Sequence, residues 1–160
     1  MNLKDANKIL KFYENELKDA PCSEKHHLNV KGGLIIHLSN TEQAAIEIDQ
    51  GNDSLRALAI VHDIGKARTY VIKEIEETGK MNKTIIEYAK PGVDHLINTI
   101  AMIAETGYKL SQEELHALEM HHGGWSPFSK NANLTELAIK LHAADMIAMS
   151  RENNNDHRNK

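Results

Sequence analysis

Residues 57–66 read ALAIVHDIGK, and this stretch places two potential metal ligands at the end of an otherwise apolar segment. Asp53 is a suitable N-cap for a helix that leads into the stretch, and Gly65 suits the C-terminal cap of the same helix. A short helix that is apolar on nearly every side is typical of the centre of a fold, since no face of it suits water. We therefore predict that the dipeptide His62-Asp63 lies at the end of a central helix.

The segments on both sides of this helix have apolar side chains at the 3.6-residue spacing of amphipathic helices. Ser111 and Glu114 form the S-x-x-E pattern of a capping box, which predicts the start of one of these helices. Helices are predicted at residues 3–19, 34–48, 53–65, 93–105, 111–122 and 133–150. The last ten residues, RENNNDHRNK, are predicted to form a polar tail that frays.

Residues 69–90 depart from the helical pattern and read TYVIKEIEETGKMNKTIIEYAK. In this segment β-branched and aromatic residues alternate with charged residues on either side of a turn that contains glycine. The sequence therefore predicts an all-α fold, a single helical bundle over residues 1–150, with one β-hairpin inserted at about residues 69–90. Whether the hairpin is a lid or an assembly surface stays open.

The composition is that of an ordinary globular domain, with 160 residues, of which 41% are hydrophobic and 26% are charged. The chain contains no apolar run of the roughly 20 residues that span a bilayer, and its first ten residues lack the apolar core of a secretory signal. We expect a cytoplasmic protein that does not bind a membrane.

The charge pattern and the cysteine count narrow the expected partners. The formal net charge is -4, and the Lys and Arg residues form no cluster of the kind that grips nucleic acid. We therefore expect a small nucleotide-like substrate and no long nucleic acid, and we allow for a homo-oligomer. The lone Cys22 cannot form an internal disulfide, and by itself it cannot hold a structural zinc ion.

The composition is unusual in one respect, because the chain contains ten histidines and one cysteine. Several histidines and two aspartates fall near helix ends or on inward stripes, where an unpartnered polar group costs roughly 1–3 kcal/mol. These residues are His37, His62, Asp63, His95, His121, His122 and Asp145. A divalent cation would satisfy them, since neutral imidazole and carboxylate are common partners in hydrolytic metal sites.

The order His, His-Asp, His, His-His, Asp resembles that of the HD-domain superfamily. The resemblance is carried by GGLIIH (residues 32–37), ALAIVHDIGK (57–66), EMHHGG (119–124) and LHAADMIA (141–148). It is strongest to the HD part of the 3′ to 5′ exoribonucleases and to stand-alone bacterial or phage HD hydrolases. The resemblance implies a helical HD fold and the hydrolysis of phosphate esters with divalent metal ions.

The resemblance also implies a ligand set. In the minimal HD site, one metal ion is held by residues that correspond to His37, His62, Asp63 and Asp145. In the binuclear site of the HD-GYP phosphodiesterases, further histidines correspond to His95, His121 and His122. We therefore expect two divalent ions, of Mn, Fe, Co, Ni, Mg or Zn. Asp63 would bridge them at about 3.5–4 Å, a spacing at which a shared water loses a proton near neutral pH and attacks phosphorus.

Other residues are expected to serve the substrate. Lys66 lies one turn beyond His62, where its ammonium would stabilise charge on a phosphoryl oxygen, although a solvated lysine facing the helix dipole is the alternative. Arg151 is a candidate for a second phosphate clamp. His122, if it is not a metal ligand, and His27 are candidates for protonating the leaving group. The predicted catalytic residues are Asp63, Lys66 and His122, and His27 is counted with Lys66 and Arg151 among the residues that bind the substrate.

The loop after the histidine pair is expected to hold a base or a sugar, through Trp125 or Phe128, unless these rings only close the end of the bundle. The GYP stretch of the cyclic-dinucleotide phosphodiesterases is replaced here by GGWSP. We expect no nucleic-acid-binding domain before the HD part, in contrast to the exoribonucleases. We therefore expect a nucleotide or a short phosphodiester, with hydrolysis of monoesters and diesters both open.

Two other classes of function stay open. The set of histidines and aspartates with Lys66 after HD-x-G also resembles the mixed-valent diiron oxygenases, which use iron and oxygen. The adjacent His121-His122 pair favours the hydrolases. The third interpretation is a non-catalytic module that kept the fold. Such modules usually lose metal-ligating residues, and this sequence retains them.

Overall fold

The computed structural model describes residues 1–75, 83–126 and 133–158, and within these ranges the elements follow one another as a helical bundle interrupted by one hairpin. The helices are α1 (Leu3–Phe12), α2 (Glu14–Leu17), α3 (Gly33–Ile48), α4 (Asp53–Ala59), α5 (Lys66–Thr69), α6 (His95–Glu105), α7 (Gln112–Met120) and α8 (Glu136–Arg158), and the strands are β1 (Tyr70–Ile75) and β2 (Lys83–Tyr88). A 3-10 turn covers Gly123–Trp125. The predicted fold class is confirmed.

Helix α4 lies at the centre of the bundle, as its apolar sequence predicts. It contacts α1, α3 and α8, and its side chains Leu55, Ala57, Leu58 and Ala59 are fully buried. Burial of each leucine contributes about 1.5–3 kcal/mol relative to an exposed position. The residues that follow α4 are therefore held in the interior by a fully buried part of the core.

The predicted helix over residues 53–65 ends earlier than expected. Helix α4 stops at Ala59, a series of turns follows, and α5 begins at Lys66. Gly65 is in a right-handed helical conformation and is not a left-handed cap. Glycine is required there because a Cβ atom would lie 2.1 Å from the carbonyl oxygen of His95 and 2.3 Å from the backbone nitrogen of Thr99. The glycine thus allows α6 to pack directly against the turn.

Strands β1 and β2 pair antiparallel, with Tyr70 opposite Tyr88 and Ile72 opposite Ile86. This confirms the predicted hairpin, while its turn lies outside the described residues. The base of the hairpin is joined to the start of α6. Ala89 N donates to Thr69 O at 2.8 Å, and Asn98 Nδ2 donates to Thr69 Oγ1 at 3.0 Å.

The helix predicted over residues 3–19 is interrupted in the structure. It is divided at Tyr13 into α1 and α2, and the buried Tyr13 hydroxyl lies 2.8 Å from the Met102 carbonyl oxygen. The capping box of Ser111 and Glu114 at the start of α7 is confirmed.

Within the described ranges, no helix combines the length and the apolar character needed to cross a membrane.

The last helix extends beyond its predicted end. The sequence predicts a helix to residue 150 and then a frayed tail, but α8 continues to Arg158. The predicted boundary between the domain and a tail therefore falls inside a helix. Its extension carries Glu152, which is only 3% exposed, into the interior beside α3.

Candidate metal centre

The seven predicted metal ligands come from five places in the chain, and the fold brings them together. His37 lies in α3, the His62-Asp63 dipeptide lies in the turns after α4, and His95 is the first residue of α6. His121 and His122 follow directly after α7, and Asp145 lies in α8. The side chains form two adjoining groups that share Asp63.

The first group contains His37, His62, Asp63 and Asp145, all of them buried. His37 Nε2 lies 3.2 Å from Asp145 Oδ1 and 3.5 Å from Asp63 Oδ2. His62 Nε2 lies 3.4 Å from Asp63 Oδ2 and 3.8 Å from Asp145 Oδ1. Two imidazole nitrogens and two carboxylate oxygens therefore converge on one point.

The second group contains Asp63, His95, His121 and His122, with ligand atoms within 4.8 Å of one another. Asp63 Oδ1 lies 3.6 Å from His95 Nε2 and 3.5 Å from His121 Nε2. The Nε2 atoms of His95 and His122 are 2.8 Å apart. Asp63 thus presents Oδ2 to the first group and Oδ1 to the second.

Backbone carbonyl groups fix the orientation of two rings. His62 Nδ1 is 2.8 Å from the carbonyl oxygen of Ala59, and His121 Nδ1 is 2.5 Å from that of Leu118. Each Nδ1 therefore carries the proton, and each Nε2 keeps a free lone pair for a metal ion.

Several buried atoms of the centre have no hydrogen-bond partner. Among them are Nε2 of His37, His62 and His121, and Oδ1 of Asp63 and Asp145. Polar atoms that are buried without partners are costly, and nitrogen and oxygen ligands of this kind suit divalent ions such as Zn, Fe and Mn. The donor set therefore fits a divalent metal ion in each group.

Glu152 is part of this centre and was missed by the sequence-based prediction. Its two carboxylate oxygens each lie 3.2 Å from His37 Nδ1, and Oε1 also accepts from Asn40 Nδ2 at 2.9 Å. Such a carboxylate orients a ligand histidine and raises its basicity. The spacing of seven residues from Asp145, two helical turns on the same face, was a signal that could have identified it.

Electrostatic effects within the first group are strong. Burial alone lowers the pKa of His37, but the nearby Asp145, Asp63 and Glu152 outweigh it and raise the pKa well above the ordinary value. Burial alone raises the pKa of Asp63, but Lys66 and His62 hold it well below the ordinary value. Without a metal ion, protons on histidine therefore neutralise the carboxylates.

Lys66 is buried at the centre, with 8% exposure, so the alternative of a solvated lysine does not hold. Its Nζ atom lies 2.5 Å from Asp63 Oδ2 and 3.7 Å from Cys22 Sγ. Burial opposes its charge, yet the neighbouring Asp63 raises its pKa above the ordinary value. Lys66 thus carries a positive charge next to the shared carboxylate.

The two candidate proton donors lie at different places. His27 is buried behind His37, where its Nε2 lies 3.5 Å from Glu152 Oε2 and from Cys22 Sγ. His122 lies in the second group, and burial followed by the neighbouring His121 lowers its pKa to about 3. A neutral ring of this kind suits metal ligation better than donation of a proton.

The predicted phosphate clamp at Arg151 is not at the centre. Its guanidinium pairs with Glu47, with Nη2 at 2.6 Å from Oε2, and both side chains are about half exposed. One residue corresponds to about 100° around a helix, so Arg151 and Glu152 point in different directions. For Trp125 only the backbone is described, in the 3-10 turn, and Phe128 lies outside the described residues.

Residues 34–150 match the family model described as HD domain, and the chain belongs to this family. It is similar to the 3′-5′ exoribonucleases YhaM of Listeria innocua and Listeria welshimeri. Each is 28% identical over 157 residues, which cover 89% of this chain and 46% of the relative. The chain therefore spans about half the length of the curated relatives it matches. No solved structure gives a significant match.

These comparisons support a metal-dependent hydrolase of phosphate esters, and they offer nothing for the oxygenase alternative. They contradict the expectation that long nucleic acid is excluded, since the relatives are named as exoribonucleases. That expectation relied on the net charge of -4 and on the lack of a cluster of Lys and Arg residues. Net charge counts the ligand carboxylates, whose charge bound cations would neutralise, so it is a poor guide to the field at a metal centre.

Proposed function

We propose that this protein is a binuclear, divalent-metal phosphodiesterase that hydrolyses single-stranded RNA from its 3′ end. The proposal rests on the position of Asp63, whose two carboxylate oxygens face different ligand groups at 3.4–3.6 Å. A carboxylate that faces two sets of histidines is suited to bridging two cations. The substrate is inferred from the names of the similar proteins.

Two divalent ions held by these residues would supply a nucleophile from water at neutral pH and would offset charge on the phosphoryl group. The residues of the chain prepare the site for them. His62 and His121 are oriented by backbone carbonyls, and His37 is oriented by Glu152. Because these partners are in place before binding, little reorganisation is required during the reaction.

Lys66 is proposed to serve the phosphoryl group. Its ammonium is next to Asp63 Oδ2, so a phosphoryl oxygen held at the shared carboxylate would gain a charge-assisted hydrogen bond as charge develops. Whether His27 or His122 protonates the leaving oxygen stays a prediction. Substituting each histidine in turn, and measuring activity on substrates whose leaving groups differ in basicity, separates the two candidates.

The proposal is tested with a 5′-labelled single-stranded RNA, incubated with the protein and Mn²⁺, Co²⁺, Fe²⁺, Mg²⁺ or EDTA. We expect a ladder that shortens from the 3′ end, nucleoside monophosphates as products, and no activity in EDTA. Asp63→Asn should abolish the ladder, whereas Asp53→Asn, at an exposed position, should retain it.

Two outcomes would overturn the proposal. One is release of inorganic phosphate from mononucleotides with the RNA left intact, which indicates a phosphomonoesterase. The other is turnover that requires molecular oxygen, which indicates an oxygenase. Metal analysis of the purified protein, with about two ions bound to the wild type and fewer than one to Asp63→Asn, tests the binuclear arrangement independently of substrate.

A further inference from the structure

The base of the hairpin carries a pair of aromatic rings that the metal centre does not use. Tyr70 opens β1 and Tyr88 ends β2, and the two residues are paired across the strands. Their ring centroids are 5.1 Å apart, with the planes inclined by 53°. Tyr88 is 54% exposed, so much of its ring is available to a ligand.

This aromatic pair lies close to the metal centre. Tyr70 follows Lys66 by four residues, a rise of about 6 Å in a helix, and Lys66 itself contacts Asp63. Burial, followed by the neighbouring Tyr88, raises the pKa of Tyr70, and the charges of Lys66 and Asp63 also act on its hydroxyl. The hydroxyl of Tyr70 is therefore within the electrostatic field of the site.

The backbone next to the pair is tied to the start of α6. Thr69 and Ala89, the residues next to the two tyrosines, are joined by a backbone hydrogen bond of 2.8 Å. Asn98 Nδ2 of α6 donates to Thr69 Oγ1 at 3.0 Å, and Thr69 Oγ1 lies 3.3 Å from the carbonyl oxygen of Val93, two residues before the ligand His95. These contacts hold the base of the hairpin against the start of α6, beside the metal centre.

A groove runs along the same face of the hairpin. Alternate residues of a strand share one face, so Thr84 and Ile86 lie on the face of Tyr88. Between β2 and residues 24–29 there is a cavity of about 310 Å³, lined by Glu24, Lys25, Asn29, Thr84, Ile85 and Ile86. This volume is within the range of small-ligand pockets, about 300–1,000 Å³. Lys25, Asn29 and Thr84 offer polar contacts to a sugar-phosphate backbone, while Glu24, 3.6 Å from Lys25 Nζ, offsets part of the lysine charge.

We propose that the Tyr70–Tyr88 pair is the stacking site for the 3′-terminal base of the RNA, and that the adjoining groove receives the preceding nucleotides. This inference rests on the proposed function and names the residues that recognise its substrate. An aromatic face stacks on any base, so such a site would bind single strands without a sequence requirement. The terminal base of a duplex is already paired and stacked, so it would have to unpair before it could stack on the tyrosines.

The test compares two single-stranded RNA oligonucleotides that differ only in the 3′-terminal residue, one with a base and one abasic. In Tyr88→Ala, we expect KM for the normal RNA to rise roughly 10-fold, with kcat nearly unchanged. The KM of Tyr88→Ala for the abasic RNA should equal that of the wild type for the same RNA, because this substrate has no 3′-terminal base to stack. Tyr88→Phe should behave as the wild type, since it retains the ring.

Val71→Ala is the matched control, because Val71 is an exposed residue of the same hairpin on its opposite face. Equal losses on both RNAs, or the same loss in Val71→Ala, would mean that Tyr88 only supports the hairpin, and would overturn the inference. If the wild type cleaves neither RNA, the proposed function fails instead. In that case, fluorescence anisotropy measures the affinities of the wild type and of Tyr88→Ala for each labelled RNA. Equal affinities of the two proteins for the normal RNA would overturn the stacking site.

Discussion

The two ligand groups that share Asp63 differ in burial and in support. In the first group, His37 and Asp145 are closed off from solvent, and His37 is braced by Glu152. In the second group, the His95 side chain is 18% exposed, and its Nδ1 is 3.8 Å from Asp94 Oδ2, beyond hydrogen-bond range. We therefore expect the first group to bind its ion more tightly, and the second to exchange its ion and face the substrate.

The largest effects are expected when one ligand is removed from each group in turn. Asp145→Asn should empty the first group and lower kcat/KM by about 100-fold or more, the size expected when a group that stabilises the transition state, here the bound ion, is lost. His122→Gln should retain one tightly bound ion and lose only the second. Metal analysis after dialysis measures both stoichiometries. Equal loss of metal from the two variants would contradict the proposed difference between the groups.

Support of His37 by Glu152 is expected to have the next largest effect. Glu152→Gln retains the size of the side chain but removes the charge, and it should weaken metal binding in the first group by about 10–100-fold. Titration with Mn²⁺ by calorimetry measures this change. Glu47→Gln, which removes the exposed partner of Arg151, is the matched control and should bind metal as the wild type does.

A smaller effect is expected at Gly65. The added Cβ of Gly65→Ala would meet the carbonyl oxygen of His95, so α6 must shift, at a cost of about 1–3 kcal/mol in the free energy of unfolding. Since His95 moves with α6, the second group should lose affinity while the first is little affected. Gly51→Ala, where nothing lies within 4 Å, is the control for denaturant unfolding. Unchanged affinity of the second group in Gly65→Ala would show that α6 does not set its geometry.

The smallest effect is expected in the pH dependence of the metal-free protein. Because the pKa of His37 is raised in the folded state, its contribution to stability is complete below the unfolded value of about 6.5 and is lost as the pH rises above it. The slope is at most about 1.4 kcal/mol per pH unit for one extra bound proton. Thermal unfolding in EDTA from pH 6 to 8 should show this loss in the wild type and less of it in His37→Gln. With Mn²⁺ present, the stability should instead rise with pH, since protons compete with the metal ion for the ligands at low pH.

Much of the fold was predictable because its signals are local. The apolar segment before His62 predicts a buried helix, and alternation in residues 69–90 predicts a hairpin, whatever the rest of the chain does. Helix bounds were less accurate where distant contacts decide them. Tyr13 interrupts the first helix while its hydroxyl reaches Met102, and α8 continues through polar residues while Glu152 packs beside α3.

The sequence by itself determined the kinds of ligand, their order and the chemistry they imply, because imidazole and carboxylate groups have few uses when buried together. Only the tertiary structure decided how they divide into two groups and which oxygen of Asp63 each group faces. It also decided that Arg151 pairs with Glu47 while Glu152 braces His37. Such contacts join residues more than 100 positions apart, and they depend on how α3 and α8 pack, which no local pattern specifies.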